Sequence, residues 1–182
     1  IEAQGAGRYR IHVYDNNSGD RTREVAAIEL EVLPACAHYG LGVVAYSPLA
    51  RGVLSGKYRV DAPPPQGSRA ARNDRRILQT EFRPESLQLA QQFAAYAAGK
   101  SLSPTALALG WVWNNRLVHG LIGGPRTLAQ WQDYLDALGR PFDAEDEAFV
   151  SGLVAAGHAS TPGYTDAQYP VTGRQPNTAA LQ

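Results

Sequence analysis

The chain has 182 residues, 44% hydrophobic and 19% charged, enough apolar surface for a sizeable core and too much for a disordered tail. Seventeen Lys and Arg balance seventeen Asp and Glu, and without a cationic excess no nucleic-acid partner is expected. The longest uncharged apolar run, 41–50, is too short to cross a bilayer, so no membrane partner is expected either. The single cysteine, Cys36, excludes an internal disulfide framework and fits a reducing, cytoplasmic location. Methionine is absent, and Ile1 is not the small residue that usually follows a removed initiator. The expectation is therefore a fragment or processed part of a longer protein.

Residues 9–14 alternate and carry β-branched and aromatic side chains, which predicts a strand. A run of turn formers occupies 15–20. Val25, Ile28, Val32 and Cys36 then recur at spacings of three and four, predicting a helix over 22–38 with Pro34 as a kink or restart. Residues 41–46 are nearly all apolar, as in a parallel strand buried on both faces. Loops are predicted over 47–58 and 61–76, the second rich in proline and arginine (Arg69, Arg72, Arg75, Arg76). Leu87, Ala90, Phe93 and Ala97 place a helix over 84–98, stopped by Gly99. The next helix begins with Ser103 as N-cap and Pro104 in its first turn, and runs to about Asn115.

The third strand is predicted over 117–122. Thr127 caps a helix with Leu128, Trp131, Leu135 and Leu138 along one side. Asp143 caps the last helix, with Asp146 three residues on in a near capping-box pattern and Phe149, Val150, Leu153 and Val154 as its apolar stripe. A polar tail rich in Gly, Pro and Tyr follows Gly157. Strands alternating with helices imply an α/β protein with a parallel sheet. Three such strands do not close a barrel, and an open sheet leaves an edge unpaired, a second reason to expect a fragment.

Two stretches carry chemistry. After the strand that ends at Tyr46, Ser47, Pro48, Leu49, Ala50, Arg51 and Gly52 offer a hydroxyl, backbone N–H groups and a guanidinium, an arrangement suited to a pyrophosphate. Gly123, Gly124 and Arg126 precede a helix N-terminus, where N–H groups and the helix dipole favour an anion. A plain loop in the first place and a plain cap at Thr127 in the second are the alternatives. There is no metal-ligand cluster, no Ser-His-Asp arrangement and no Gly-x-Gly-x-x-Gly fingerprint.

The stretch LGVVAYSPLARGVLSGKY at 41–58, followed by SPTALALGWV at 103–112 and LIGGPRTLAQWQDYL at 121–135, closely resembles the C-terminal half of an aldo-keto reductase, from strand six onward. LPAC at 33–36 and the tail from TPGY at 161–164 to Arg174 resemble one branch of that family, and the likeness covers roughly residues 8–176. The resemblance implies the C-terminal portion of a (β/α)8 TIM barrel, with 1–157 as partial barrel and 158–182 as a tail lining the barrel mouth. It implies hydride transfer between NADPH and a small aldehyde, ketone or alcohol.

On the same resemblance Tyr46 stacks on nicotinamide, and Ser47, Pro48, Leu49, Ala50 and Arg51 hold the pyrophosphate. Lys57 helps close that loop, Arg69 adds a phosphate-side cation, and Gly124 and Arg126 meet the 2′-phosphate, with Gln130 and Asp133 toward adenine and its ribose. The family often has Asn where this chain has Tyr134, and Val13 stands near where a Gln usually binds the nicotinamide amide. No position matches the family's catalytic Asp, Tyr, Lys and His, so no catalytic residue is assigned, and the tail residues Tyr164 and Tyr169 are expected near the substrate. Two other readings accompany the enzyme: a non-catalytic nucleotide-binding or regulatory half-barrel, and a decayed half-barrel paired with another half or a second copy.

Overall fold

A computed structural model of the chain describes residues 10–11, 32–155, 157–161 and 172–177. In chain order it shows β1 (Arg10–Ile11), α1 (Val32–His38), β2 (Gly42–Tyr46), a 3₁₀ segment (Ala50–Ser55), α2 (Arg75–Thr80), α3 (Pro84–Gly99), α4 (Pro104–Trp113), β3 (Gly120–Ile122), α5 (Leu128–Asp136) and α6 (Ala144–Leu153). The turn predicted over 15–20 and the 22–31 part of the helix predicted over 22–38 lie outside the described residues, as do His12, Val13, Tyr164 and Tyr169.

The three strands lie side by side in sequence order, all parallel. Arg10 pairs with Gly42, and Val44, Ala45 and Tyr46 pair with Gly120, Leu121 and Ile122. Parallel neighbours joined through helices are the repeating unit of a (β/α)8 barrel, and this chain forms part of such a barrel. The expectation that β2 is buried on both faces is corrected. Val44 and Tyr46 are exposed on one face, with Ile122 beside Tyr46. Three strands do not curl far enough to cover their own inner face, which a closed barrel fills with side chains from all its strands. β3 is also shorter than predicted. Leu117 and Val118 turn back instead, their N–H groups donating to Oδ1 and the carbonyl of Asn115.

The helix caps follow the sequence. Ser103 Oγ accepts the Ala106 N–H at 3.0 Å, and Thr127 Oγ1 accepts that of Gln130 at 3.2 Å. Asp143 and Asp146 form a reciprocal capping box, each carboxylate accepting the other's N–H. The sequence reading misses α2, a short helix that begins at the end of the predicted 61–76 loop and continues to Thr80. Asp74 caps it by accepting the Arg76 N–H at 3.0 Å, but the helix is too short and too rich in arginine to show a periodic apolar stripe.

The core forms around α3 and α4. Val53, Tyr58, Ala70, Ile77, Leu87 and Ala90 make one cluster, with Phe82 edge-on to Tyr58 at 5.2 Å. Phe93, Ala97, Leu107 and Ala108 make the next, with Phe149, Val150 and Leu153 of α6 packed against it. Ala106, Leu109 and Ala137 make the third, beside Leu121 and Tyr134. The predicted stripe of α5 does lie along one side, but that side faces outward: Leu128 is 80% exposed, and Trp131, Leu135 and Leu138 are exposed with it.

Asp146 is 1% exposed. Lys100 Nζ lies 2.8 Å from its Oδ1, and the Tyr96 hydroxyl donates to the same oxygen at 2.9 Å. Lys100 also bridges Asp143 at 2.8 Å and Glu145 at 3.4 Å, and the Tyr96 ring stacks on Phe149 at 3.8 Å. This cluster ties α6 to α3.

The tail residues 172–177 zip onto the end of α4. Arg116 N–H donates to the Gln175 carbonyl, Asn177 N–H to that of Asn114, and Asn115 bridges Pro176 in antiparallel fashion. Arg174 Nε and Nη2 reach the two carboxylate oxygens of Glu147 at 2.9 and 2.6 Å, while its guanidinium stacks 4.0 Å over Trp111. Since 114–119 leads into β3, this segment docks where that strand begins.

Two outcomes are expected. In light scattering the 182-residue chain should run above its 19.6 kDa monomer mass, because the open sheet face and the α5 stripe recruit apolar partners. Burial, then the Asp146 carboxylate, pushes the Tyr96 hydroxyl up from 10.0 to about 12. The folded state therefore holds this proton more tightly, a contribution present below pH 10 and lost as pH rises from about 10 toward 12. Tyr96→Phe should flatten the alkaline limb of a Tm-versus-pH profile, and Asp146→Ala should cost about 1–3 kcal/mol at neutral pH in denaturant melts.

Candidate functional site

Ligand sites of parallel α/β folds sit at the carboxyl ends of the strands. Here two connections leave those ends, 47–58 after β2 and 123–127 after β3. Tyr46 closes β2 on the open sheet face and is 43% exposed.

The first connection is built from unusual backbone. Ser47, Ala50, Arg51 and Gly52 have φ of 54°, 45°, 53° and 95°. Left-handed backbone at a residue with a Cβ costs of the order of 1 kcal/mol and persists only where its surroundings enforce it. Here Ala50 N–H donates to the Ser47 carbonyl at 2.9 Å and Gly52 N–H to that of Leu49 at 2.8 Å, while Ser55 Oγ donates to the Gly52 carbonyl at 2.8 Å. Lys57 Nζ packs close over Gly52, whose φ of 95° favours glycine, and it also sits 5.1 Å from the Tyr58 ring centre. The structure thus brings Ser47, Pro48, Leu49, Ala50 and Lys57 to one compact turn.

Arg51 belongs to this turn, but its guanidinium is engaged. Nε donates to Glu81 Oε2 at 2.9 Å, and the two side chains are 22% and 26% exposed. Glu81 also accepts the Thr80 hydroxyl. A free Arg51 cation, as the sequence reading has it, is corrected to one neutralised by a carboxylate that lies thirty residues on and carries no local sequence signal.

The 61–74 loop closes the next side. Tyr58, itself fully buried, takes the Ala70 N–H on its hydroxyl at 3.4 Å, and Ser68 Oγ takes that of Ala71 at 3.2 Å. Arg69 Nη1 lies 3.4 Å from Asp74 Oδ2. Arg126 then reaches across, donating from Nη2 to the Gly67 carbonyl at 3.4 Å. This contact joins the turn before α5 to the 61–74 loop, with Arg69 two residues from where Arg126 lands.

The turn before α5 departs from the expected cradle. The Arg126 N–H donates to Gln130 Oε1 at 2.8 Å and the Gln130 N–H to Thr127 Oγ1. These two backbone donors are satisfied by the chain itself. Burial pushes the Tyr134 hydroxyl up from its usual value. A Cβ on Gly123 would sit 2.5 Å from the Tyr134 ring, so glycine there is a packing requirement. Gln130 serves as a cap. Asp133 lines a separate cleft of about 150 Å³ with Ser103, Asp136 and Arg140, and among the described residues no ion pair joins it to Arg126.

His119 is structural: its Nδ1 accepts the Val43 N–H at 3.1 Å and its own N–H donates to the Val43 carbonyl at 2.8 Å. Among the described residues no group of three or more His, Cys, Asp and Glu could hold a metal, and no helix is long and apolar enough to cross a membrane.

The sequence profile of the aldo/keto reductase family matches residues 22–154, nearly three quarters of the chain. The chain belongs to the aldo/keto reductase family. It is 33% identical over 135 residues to the uncharacterized oxidoreductase YrpG of Bacillus subtilis, covering 74% of this chain and 38% of that protein. It is 33% identical over 119 residues to human aflatoxin B1 aldehyde reductase member 2, covering 61% of this chain and 32% of that one. It is 29% identical over 111 residues to a probable voltage-gated potassium channel subunit beta of Arabidopsis thaliana, covering 61% and 34%. In fold it is similar to the glycerol dehydrogenase AKR11B4 of Gluconobacter oxydans, with a TM-score of 0.54 and 24% identity over 78% of this chain and 42% of that one. This aldo/keto reductase chain thus spans between about a third and two fifths of the length of these relatives.

The Arg51–Glu81 pair yields a direct check. Glu81→Ala should lower stability by about 1 kcal/mol, or about 2–4 °C in Tm. The difference from wild type, read by calorimetry, should shrink in high salt as the ion pair is screened.

Proposed function

We propose that the natural protein is a cytoplasmic NADP-dependent oxidoreductase acting on a small aldehyde, ketone or alcohol, and that this chain carries its cofactor-gripping half. The observation that carries the reading is the contact of Arg126 with Gly67, two residues from Arg69, in a connection that leaves the same end of the parallel sheet as the strained Ser47–Gly52 turn. The donor set fits a dinucleotide phosphate: exposed guanidinium groups at one edge and a tight turn at the other.

In this reading Arg126 pairs bidentately with a 2′-phosphate, and Arg69 adds positive potential. Ser47, Pro48, Leu49, Ala50, Arg51 and Lys57 hold the pyrophosphate, Arg51 exchanging some of its contact with Glu81 as it does so. Tyr46 offers its ring to the nicotinamide, and Gly124, Gln130 and Asp133 lie toward the adenosine end. Bound NADPH supplies the hydride. No residue of this chain matches the family's Asp, Tyr, Lys and His, so the proton donor comes from the half the relatives have and this chain lacks. The tail, 158–182, is the segment proposed to line the substrate pocket.

The likeness to proteins named as potassium channel beta subunits favours a second reading, a nucleotide-binding regulatory subunit. Turnover of a carbonyl panel by the full-length natural product separates the two. Binding tests what they share. Arg126→Ala should weaken NADPH by about 10- to 150-fold, from about 1.5–3 kcal/mol of charge-assisted hydrogen bonding. NADH should stay within about threefold by the same reasoning, since it has no 2′-phosphate to lose. Fluorescence titration reads both, and equal losses would remove the case for phosphate recognition by Arg126.

A further inference from the structure

Residues 57–76 hold six cations, Lys57, Arg59, Arg69, Arg72, Arg75 and Arg76, against two carboxylates, Asp61 and Asp74. The whole chain has seventeen charges of each sign, so eleven cations meet fifteen carboxylates everywhere else. The protein is neutral in sum and polarised in space, with a formal charge of +4 on this stretch and −4 on the remainder. Such a separation sets up a long-range field that a net charge of zero conceals.

The stretch touches both connections that leave the carboxyl ends of β2 and β3. At its start Lys57 Nζ packs over Gly52 of the first. Further on, the Gly67 carbonyl accepts Arg126 Nη2 from the second at 3.4 Å. The chain then coils tightly. The Arg72 N–H returns to the Ser68 carbonyl at 3.1 Å, and Asp74 Oδ1 accepts the Arg76 N–H at 3.0 Å while its Oδ2 meets Arg69 Nη1 at 3.4 Å. Arg69 takes the Asp74 carboxylate, Arg59 takes Asp61 at 3.2 Å, and Arg51 takes Glu81. Arg72, Arg75 and Arg76 are exposed, and among the described residues none of the three enters an ion pair.

We infer that Arg72, Arg75 and Arg76 are an electrostatic guide for the dinucleotide: they draw the anionic cofactor toward the two connections and do not touch it once it is bound. The inference rests on the cofactor reading given under Proposed function. NADPH carries a charge of about −4, shared between its pyrophosphate and its 2′-phosphate. Three unpaired guanidinium groups on a coil beside Gly67 raise the local concentration of such an anion, and so its rate of arrival, while adding little to its residence. Arginine stays protonated at every working pH, so the guide answers to salt and not to pH.

The test is stopped-flow binding of NADPH and NADH to the full-length natural product at about 0.01 M and about 1 M salt, where charges are screened over about 30 Å and about 3 Å. Arg72→Gln, Arg75→Gln and Arg76→Gln combined should slow NADPH association about 5- to 10-fold at low salt and less than about twofold at high salt, with dissociation within about twofold throughout. NADH, with about half the charge, should lose about two- to threefold in association at low salt. Arg72→Lys, Arg75→Lys and Arg76→Lys combined keep the charge and lose the guanidinium fork, and should associate within about twofold of wild type.

Wild-type association by the Gln variant at low salt, a loss that persists at high salt or falls on dissociation, or a Lys variant as slow as the Gln variant would each overturn the inference. If the wild-type protein binds neither cofactor, the cofactor reading fails and takes this one with it. If NADPH binds and Arg126→Ala weakens it selectively while the Gln variant associates at the wild-type rate, the inference about the three arginines fails alone.

Discussion

A parallel sheet has two faces to hide, and this chain provides cover for one. α4 packs its buried face beside Leu121 of β3, while Val44, Tyr46 and Ile122 point into the open on the other. In a closed barrel that inner face is filled by side chains from every strand. The same constraint explains α5. Its inner side, with Tyr134 and Ala137, meets α4, and its apolar stripe looks past β3 to where a further β–α unit of a barrel would stand. The site residues live on the rim of this part-built wall, so their placement depends on loops that hold their shape without help from across the barrel.

Those loops are held in two different ways. The Ser47–Gly52 turn is forced through left-handed backbone by a ring of short hydrogen bonds and by the Arg51–Glu81 pair. The Gly123–Arg126 turn is held by the half-buried Tyr134 ring against Gly123 and by the Arg126 N–H bonded to Gln130. In both, groups that look available in the sequence are already committed: Arg51 to Glu81, Arg69 to Asp74, and the N–H of Arg126 to a side chain of α5.

Local physics was legible in the sequence and long-range pairing was not. Ser103, Thr127 and Asp143 cap their helices because a short polar side chain ahead of an apolar run has few better uses. The two turns were found because glycine, proline and arginine cluster after apolar strands. α2 was missed because six residues give no period to read. Glu81 lies thirty residues from Arg51 and Gly67 lies fifty-nine from Arg126, separations that no local pattern spans. Tyr134 stood out as a departure from a family habit, yet only the structure gives it a partner in Gly123. The outward face of α5 was unreadable for a different reason, since periodicity says which side chains share a side and not what covers them.

The clasp of Arg174 on Glu147 and Trp111 has a further consequence. Glu147 also accepts the Asn114 amide, so the tail, α6 and the end of α4 share one carboxylate, and Gly173 presses against Pro34 and Leu33 of α1. Segments linked in this way open together or not at all. Opening α6 strips the tail of its anchor, and freeing the tail exposes a carboxylate that has only Asn114 and Ser151 left to face. Residues 172–177 thus touch α1, the end of α4 and α6 together, so that loosening one of these elements loosens the segment that spans them.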